Sequence, residues 1–246
     1  MSELLFRDDA YARTCTATVT AVTTDERGGR AVRLDRTVFY PTGGGQPGDS
    51  GRLVLADGTA CPVATTIKGE RPDDVLHILA ADAPAPAAGD TVTAELDWDR
   101  RHRHMRMHTC LHLLSALLPY PVTGGQIAAD KARMDLDIAE AILDKAELTA
   151  QLNALIERDA RVSARWISDE ELAANPDLVK TMAVKPPTGS GRVRLIEVEG
   201  QDLQPCGGTH LRRTGEIGRV IVTRIEKKGR QNRRVAIAFD EAVTSP

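Results

Sequence analysis

The chain has 246 residues and a formal net charge of −3 at pH 7, with 41% hydrophobic and 27% charged residues. This composition is typical of a globular protein and excludes a uniformly basic nucleic-acid binder, while leaving room for a local basic patch. Aromatic residues make up only 3% of the chain, which argues against a sheet that reads single-stranded RNA by base stacking.

Cysteine usage and the absence of targeting patterns indicate the redox compartment. None of the four cysteines forms a CxxC pair, and four are too few for a disulfide framework in a chain of this length. No apolar run approaches the ~20 residues that span a bilayer, and the first residues lack the charged-then-apolar order of a signal peptide. We therefore expect a cytoplasmic protein.

The first hundred residues are predicted to be strands. Residues 14–22 alternate polar and apolar side chains with a period of two. Further short β-like runs and their turns are found at 25–34, 53–63, 75–79 (which holds His77) and 90–98, with turns at Gly28-Gly29 and Asp57-Gly58. A small antiparallel barrel is expected over residues 1–97, because closing a sheet removes its exposed edges.

Helical patterns begin after Trp98. They cover residues 104–118 and about 138–163, and Ser168 with Glu171 fits a capping box that opens a short helix. Strands return at 193–200 and at 218–239, and the last run predicts a hairpin. This mixture of helices and antiparallel strands predicts an α+β domain over residues 98–246.

Two pairs of side chains are candidate metal ligands. His108 and His112 lie four residues apart in an apolar helical run, so both rings face one side of the helix. Cys206 and His210 have the same spacing in the glycine-rich segment QPCGGTH, where a tight loop can aim both side chains at one point. A thiolate combined with imidazoles suits zinc. Because HTCLH lacks the glutamate of HExxH, hydrolysis of an ester is favoured over proteolysis.

The alternative for the histidine pair is a set of satisfied hydrogen bonds in the core. Cys110, between the two histidines, is interpreted as a small buried hydrophobe. His104 belongs to the basic stretch RRHRHMR and is interpreted as facing solvent or phosphate.

Two basic clusters flank the predicted zinc site. The first contains Arg100, Arg101, Arg103 and Arg106, and the second contains Arg224, Lys227, Lys228, Arg230, Arg233 and Arg234. In an otherwise acidic protein they favour binding to a phosphate backbone, and the alternative is a solvated helix entrance and a charged hairpin tip.

The segment GGGQPG, residues 43–48, formally fits the dinucleotide pattern GxGxxG. However, Pro47 and the following GDSGRLVL predict a turn into a strand and not the start of a helix, so the dinucleotide interpretation fails on context.

These motifs together resemble a known family. HTCLHLL, followed about a hundred residues later by CGGTH and TGEIG, resembles the editing domain of alanyl-tRNA synthetase, the free-standing editing proteins of the AlaX family and the related domain of threonyl-tRNA synthetases. FYPTGGGQPGDSG, residues 39–51, is similar to the glycine-rich segment of the longer AlaX members.

The resemblance implies an editing domain of the threonyl/alanyl-tRNA synthetase type and a trans-editing hydrolase. Its substrate would be mischarged tRNA(Ala), chiefly Ser-tRNA(Ala) with Gly-tRNA(Ala) as a second, and its partner the acceptor end that carries the wrong amino acid. It also implies one zinc ion per chain, held by His108, His112 and Cys206, with His210 as a fourth ligand or a close neighbour. The role of the metal stays open between activating the attacking water and orienting the substrate.

Site residues beyond the ligands follow from the resemblance and from the chemistry of editing. Gln126 matches a glutamine of the family, and Gln126 and Thr123 are candidates for pairing with the serine hydroxyl that alanine lacks. The backbone N–H groups of Gly207 and Gly208 are candidates for stabilising the oxyanion. The substrate-binding candidates are Gly43, Gly44, Gly45, Gln46, Asp49, Arg133 (in RMDL), Arg230 and Arg233.

Two other functions remain open at this point. One is a zinc hydrolase for another small ester or amide, for which the basic clusters would be idle. The other is a non-catalytic RNA-binding module with a structural zinc ion.

Overall fold

The computed structural model describes residues 2–24, 28–71, 73–138, 143–181 and 191–240. The chain divides into two compact units, Met1–His102 and Arg103–Pro246. The first contains strands β1 (Glu3–Leu4), β2 (Thr14–Thr24), β3 (Arg30–Leu34), β4 (Arg36–Thr37), β5 (Gly51–Leu55), β6 (Ala60–Lys68), β7 (Val75–Leu79) and β8 (Thr91–Leu96).

Helix α1 (Trp98–Leu117) carries the boundary between the units. The elements that follow it are β9 (Val122–Ile127), β10 (Lys131–Asp137), α2 (Lys145–Glu157), β11 (Val162–Ser168), α3 (Asp169–Ala174), β12 (Arg192–Val198), β13 (Asp202–Pro205), β14 (Val220–Lys228) and β15 (Asn232–Phe239). Short 3₁₀ turns occupy Leu5–Arg7, Pro176–Leu178 and Thr214–Ile217. Within the described part of the chain, the helices are all too short or too polar to cross a membrane.

Six strands of the first unit form a closed antiparallel barrel in the order β2-β3-β7-β6-β5-β8. Successive side chains of a strand point to opposite faces, so every second one is buried in the barrel interior. On β8, Val92, Ala94 and Leu96 are buried, while the side chains between them are not. The structure therefore confirms the α+β class and the small N-terminal antiparallel barrel. The predicted strand at 14–22 and the turn at Asp57-Gly58 are also confirmed. The first three residues of the predicted run 25–34 lie outside the described residues.

His77 lies on β7 and is fully buried. Its Nε2 is 2.8 Å from Thr37 Oγ1 and its Nδ1 is 3.0 Å from the Val32 carbonyl oxygen. Both ring nitrogens are thus satisfied inside the barrel, and the strand predicted at 75–79 is confirmed.

Two antiparallel sheets form the second unit, in the orders β14-β15-β10-β9 and β11-β12-β13. The predicted hairpin at 218–239 is confirmed as β14 and β15. Helix α2 contacts β14, and Asn153 links them because its side-chain amide donates to the Val220 carbonyl at 2.8 Å and accepts from the Val220 N–H at 3.0 Å.

The helix predicted over about 138–163 is shorter in the structure. It begins after Asp144, whose side chain accepts from the Glu147 N–H, and ends before Asp159, which has a φ of 49°. The last two positions of the predicted helix, 162 and 163, belong to β11. Ile142, used in that prediction, lies outside the described residues. The capping box of Ser168 and Glu171 is confirmed by reciprocal bonds of 2.7 and 3.0 Å.

Candidate metal centre

Helix α1 and the loop after β13 bring four donor side chains together. His108 and His112 lie one turn apart on α1, and Cys206 and His210 lie in the loop that follows Pro205. One donor atom from each residue lies within 4.8 Å of every other. Cys206 Sγ is 3.5 Å from His108 Nε2 and 3.3 Å from His210 Nε2. We call this group the four-donor cluster, and it could hold a metal ion.

The three imidazole rings of the cluster converge on the same point. Their centroids are 4.2 Å apart for His108 and His210, 4.5 Å for His112 and His210, and 5.4 Å for His108 and His112. His108, His112 and His210 are all at least nine-tenths buried. Three buried imidazoles and a thiol this close together are the kind of donor set that binds a transition-metal ion such as zinc.

The CGGTH loop is held by a buried arginine of β12. Arg194 donates from Nη1 to the carbonyl oxygens of Cys206 (3.0 Å) and Gly208 (2.9 Å), and its own carbonyl accepts from the Cys206 N–H at 3.1 Å. Thr109 of α1 ties the far end of the loop, because its Oγ1 accepts from the Leu211 N–H at 3.2 Å. The Arg194 bonds hold the loop against β12, and the Thr109 bond connects it to the helix that carries the histidines.

A second group of polar side chains lies behind His112. Asp202 Oδ2 is 2.9 Å from His112 Nδ1, and its Oδ1 accepts from Lys180 Nζ at 2.6 Å. Gln204 donates from Nε2 to Asp202 Oδ2 at 2.7 Å. Lys180, Asp202 and Gln204 were not predicted from the sequence. A signal was present in DLQPC, where alternation along a strand puts residues 202, 204 and 206 on one side.

The electrostatics of the cluster favour metal-binding forms of two side chains. Burial acts to raise the pKa of the Cys206 thiol, but the nearby His108 and His210 together with hydrogen bonds to His108 and His112 hold that pKa well below its ordinary value. Burial, together with the charge of His108, lowers the pKa of His210 well below its ordinary value. For His112, burial acts to lower the pKa, but hydrogen bonds to Asp202 and Cys206 raise it to about 9. A thiolate and a neutral imidazole are the forms that ligate metals.

Cys110, between the two histidines on α1, is fully buried, and burial raises the pKa of its thiol. Its interpretation as a small buried hydrophobe is confirmed.

Thr123 and Gln126 lie on β9, a strand that was not predicted from the sequence. Among the described residues, Thr123 Oγ1 donates to Asn232 Oδ1 at 3.1 Å, and Gln126 Oε1 accepts from Arg133 Nε at 3.0 Å. Gln126 and Arg133 are direct partners in the β9–β10 register, and Gln126 is exposed. Two of the predicted site residues therefore contact each other on this hairpin.

Gly207 and Gly208 follow the cysteine of the cluster and differ from each other. The Gly208 N–H points to Cys206 Sγ, with nitrogen and sulfur 3.4 Å apart. Gly207 is exposed, and a Cβ added to it would meet no atom within 4 Å. The loop is thus open at Gly207 and packed at Gly208.

The glycine-rich segment forms the predicted turn into a strand, inside the first unit. Gly44 and Gly45 have φ angles of 57° and 82°, a region that favours glycine, and β5 begins at Gly51. Gly48 packs so closely that a Cβ would lie 1.9 Å from the Thr66 carbonyl oxygen.

The other substrate-binding candidates of this segment are hydrogen-bonded within the first unit. Gly43 and Gln46 exchange backbone hydrogen bonds of 3.0 and 2.9 Å, and Gln46 is fully buried. Asp49 is 1% exposed and accepts hydrogen bonds from Arg101 Nε and from the Tyr40 N–H.

The first basic cluster differs from its prediction. His104 is 1% exposed, so the prediction that it faces solvent or phosphate is wrong. Arg101 is fully buried against Asp49, and the Nε atoms of Arg103 and Arg106 donate to backbone carbonyl oxygens at 2.8 Å. Arg101 is thus occupied inside the protein, and Arg103 and Arg106, which are half-buried, each use one guanidinium donor on a backbone carbonyl distant in sequence.

The second basic cluster lies on the hairpin of β14 and β15. Its exposed members are Arg224, Lys227, Lys228 and Arg230. Lys227 pairs with Arg233 in the strand register, whereas Arg234 forms an ion pair with Asp135. The tip of the hairpin therefore presents concentrated positive charge to solvent.

Comparison with known proteins gives consistent matches. Residues 193–236 match the model described as the threonyl and alanyl tRNA synthetase second additional domain, and residues 11–100 match the model for class II (A) tRNA synthetases.

Individual relatives match along nearly the whole chain. The alanyl-tRNA editing protein AlaX-M of Methanosarcina acetivorans is 38% identical over 96% of this chain and 98% of its own length. The protein of that name from Saccharolobus solfataricus is 32% identical over 96% of this chain and 98% of its own length. The alanine–tRNA ligase of Pyrobaculum calidifontis is 34% identical over 91% of this chain, which corresponds to 25% of the ligase. Since near-complete relatives share more than 30% of their residues with it, the chain belongs to the family of the alanyl-tRNA editing proteins AlaX-M, as the resemblance of its motifs indicated.

Proposed function

We propose that this chain is a trans-editing hydrolase that deacylates mischarged tRNA(Ala), with Ser-tRNA(Ala) as its chief substrate and Gly-tRNA(Ala) as a second. The observation that carries the proposal is the four-donor cluster, which lies in a chain whose full-length relatives are named as alanyl-tRNA editing proteins. The reaction is hydrolysis of the ester between the amino acid and the terminal ribose.

The cluster fits one zinc ion per chain. Zinc–sulfur bonds of about 2.3 Å and zinc–nitrogen bonds of about 2.0 Å, arranged as a tetrahedron, separate sulfur from nitrogen by about 3.5 Å. The distances from Cys206 Sγ to His108 Nε2 and His210 Nε2, 3.5 and 3.3 Å, agree with that value. His108, His112 and Cys206 would hold the ion, with His210 as the fourth donor. When bound, zinc supplies Lewis-acid chemistry, which polarises a carbonyl group and lowers the pKa of a water molecule.

The open side of the CGGTH loop is suited to the ester. Gly207 is exposed immediately after Cys206, so its backbone N–H is a hydrogen-bond donor beside the cluster and is assigned to the carbonyl oxygen on which charge develops. Gly208 has a different role, because its N–H is directed at the thiolate sulfur and stabilises that charge.

Discrimination between serine and alanine requires a polar group that pairs with the serine hydroxyl. A site with such a group rejects alanine, because the group is then left without a partner. Thr123 and Gln126 remain the candidates, and Arg133 holds the Gln126 side chain from the neighbouring strand.

The tRNA backbone is assigned to the second basic cluster, with Arg230 and Arg233 as contacts. Phosphate binding by exposed cations depends on salt, since it releases counterions from the nucleic acid. The buried Arg101 takes no part in this surface. The glycine-rich segment, through its exposed Gly44 and Gly45, remains a candidate for contact with the acceptor end.

The test uses purified protein with Ser-tRNA(Ala), Gly-tRNA(Ala) and Ala-tRNA(Ala), before and after chelation and again after zinc is restored. We expect rapid loss of the serine ester, slower loss of the glycine ester, survival of the alanine ester, and recovery of activity only with the metal. The Cys206→Ala variant is compared with Cys15→Ala, which removes a thiol of the barrel. Persistence of all three esters with the zinc-loaded protein would defeat the proposal, and cleavage of free serine esters without cleavage of tRNA esters would favour a small-ester hydrolase.

A further inference from the structure

The ring of His112 is held from the side opposite the four-donor cluster. Its Nδ1 is 2.9 Å from Asp202 Oδ2, and the exposed fractions of the two side chains are 6% and 0%. A carboxylate only accepts hydrogen bonds, so the proton of this bond belongs to Nδ1, and Nε2 is the nitrogen whose lone pair would bind a metal ion once the ring is neutral. We propose that Asp202 is a positioning residue, which orients His112 so that Nε2 faces the other three donors.

Asp202 is itself fixed by partners on both carboxylate oxygens. Lys180 Nζ donates to Oδ1 at 2.6 Å, and Gln204 Nε2 donates to Oδ2 at 2.7 Å. A buried carboxylate needs such compensation, because its desolvation is costly. Rotation of the carboxylate would break its bonds to both Lys180 and Gln204. The carboxylate is therefore held in one orientation, and its bond to Nδ1 holds the His112 ring in turn.

The backbone explains why Asp202 lies at this position. Asp202 and Gln204 alternate on β13, where they pair with Val198 and Ile196 of β12. The Cys206 N–H continues the pairing by donating to the Arg194 carbonyl at 3.1 Å. One strand thus supplies both the thiol of the cluster and the carboxylate that orients a histidine of the cluster.

The environment of His112 differs from that of His210. The Nδ1 of His210 is 3.2 Å from Thr109 Oγ1, a neutral hydroxyl, whereas the Nδ1 of His112 faces a carboxylate. A carboxylate partner both fixes the ring and makes the opposite nitrogen a stronger donor to a metal ion. Asp202 therefore contributes more than the filling of space in the core.

The inference rests on the proposed function for the reaction that it serves, but its test begins with metal affinity. The variant is Asp202→Asn, and the matched control is Asp74→Asn, which removes a largely buried carboxylate paired with Arg33 in the barrel. Zinc affinity is measured by competition with a chromophoric chelator, and the free energy of unfolding of the zinc-free variants by urea titration. We expect Asp202→Asn to bind zinc about 10- to 100-fold more weakly and Asp74→Asn to bind it like the parent.

Kinetics on mischarged tRNA provide a second readout. For Asp202→Asn, kcat should fall while KM for the tRNA stays at the parent value, since the substitution disturbs a ligand and leaves the tRNA surface intact. The visible spectrum of the cobalt-substituted protein should also change in Asp202→Asn only. Parent-like zinc affinity together with a parent-like cobalt spectrum overturns the inference.

A measurement on the unsubstituted protein covers the case in which Asp202→Asn fails to fold. Long-range ¹H–¹⁵N spectra of the zinc-loaded protein should show His112 protonated at Nδ1 and ligated at Nε2. Ligation through Nδ1, a proton on Nε2, or absence of zinc binding by the parent overturns the inference.

The outcomes separate the two proposals. If the parent binds zinc and Asp202→Asn binds it more weakly, but no aminoacyl-tRNA is deacylated, the proposed function fails and the positioning role stands. If the parent deacylates Ser-tRNA(Ala) and Asp202→Asn binds zinc as tightly as the parent, the positioning role alone is overturned.

Discussion

Arg101 and Asp49 form an ion pair in which the side chains are 0% and 1% exposed. Arg101 also donates to the carbonyl oxygens of Ala10 (3.0 Å) and Val38 (2.7 Å), and Asp49 accepts from the Tyr40 N–H. The glycine-rich segment that ends near Asp49 is thereby tied to the first turn of α1, through a pair with no access to solvent.

Breaking this pair should strongly destabilise the first unit. Arg101→Met leaves a buried carboxylate without its cation, and we expect a loss of about 3–5 kcal/mol in the free energy of unfolding by urea titration. Arg52→Met, which breaks an exposed pair with Glu95, is the control and should cost less than about 1 kcal/mol. Equal losses for the two variants would contradict the assignment of Arg101 as a buried structural residue.

The thiol of the cluster should be indispensable for both metal retention and editing. Cys206→Ala removes the sulfur that lies 3.3–3.5 Å from two histidine nitrogens, so zinc content and deacylation of Ser-tRNA(Ala) should fall to the levels of the chelated parent. Metal analysis and ester hydrolysis are measured on the same sample. Cys110→Ala, which empties a core position on α1, should lower stability but keep zinc; loss of the metal from both variants would argue against a specific role for Cys206.

Charge reversal at the hairpin should weaken tRNA binding without affecting the chemistry. For Arg230→Glu combined with Arg233→Glu we expect a higher KM for mischarged tRNA, an unchanged kcat, and a salt dependence of log affinity that is shallower by about 0.7–0.9 for each phosphate that the variant no longer binds. The measurement is a KM series across salt concentrations. Arg36→Glu, which removes one partner of the exposed pair that β4 forms with Glu3 of β1, is the control. If KM for mischarged tRNA is the same in the double variant as in the parent and does not change with salt concentration, the hairpin does not bind the tRNA backbone.

His77 should make the barrel sensitive to acid. Burial lowers its pKa to about 4, against the bond to the Val32 carbonyl and the Asp49 charge, which act to raise it. Between about pH 6.5 and pH 4 the unfolded chain binds a proton that the folded chain excludes, so stability falls as the pH falls. The loss attributable to this residue is about 2 kcal/mol between pH 7 and pH 5.

The measurement is urea unfolding of the parent and of His77→Gln at several pH values. The variant retains a side-chain amide near Thr37 and lacks the titrating ring, so its stability should fall less steeply over this interval. Identical pH profiles for the two proteins would show that His77 does not carry the effect.

The sequence by itself determined the elements whose signal is local. Alternation at 14–22 predicted a strand of the barrel, because it shows which face of that strand is buried. The Ser168–Glu171 spacing predicted a helix start, because these two side chains cap backbone groups within one turn. The spacing of His108 with His112, and of Cys206 with His210, likewise indicated two pairs of donors, since one turn of helix or one tight loop is enough to align each pair.

The tertiary structure decided everything that depends on partners distant in the chain. It brought the two donor pairs together, added Asp202 and Lys180 behind His112, and turned Arg101 from a predicted phosphate ligand into the buried partner of Asp49. The physical reason is that the sequence does not show which partner a charged side chain will have. Arg101 and Asp49 are separated by 52 residues. Only the packing of the barrel against the start of α1 determines whether that guanidinium contacts water, phosphate or a buried carboxylate.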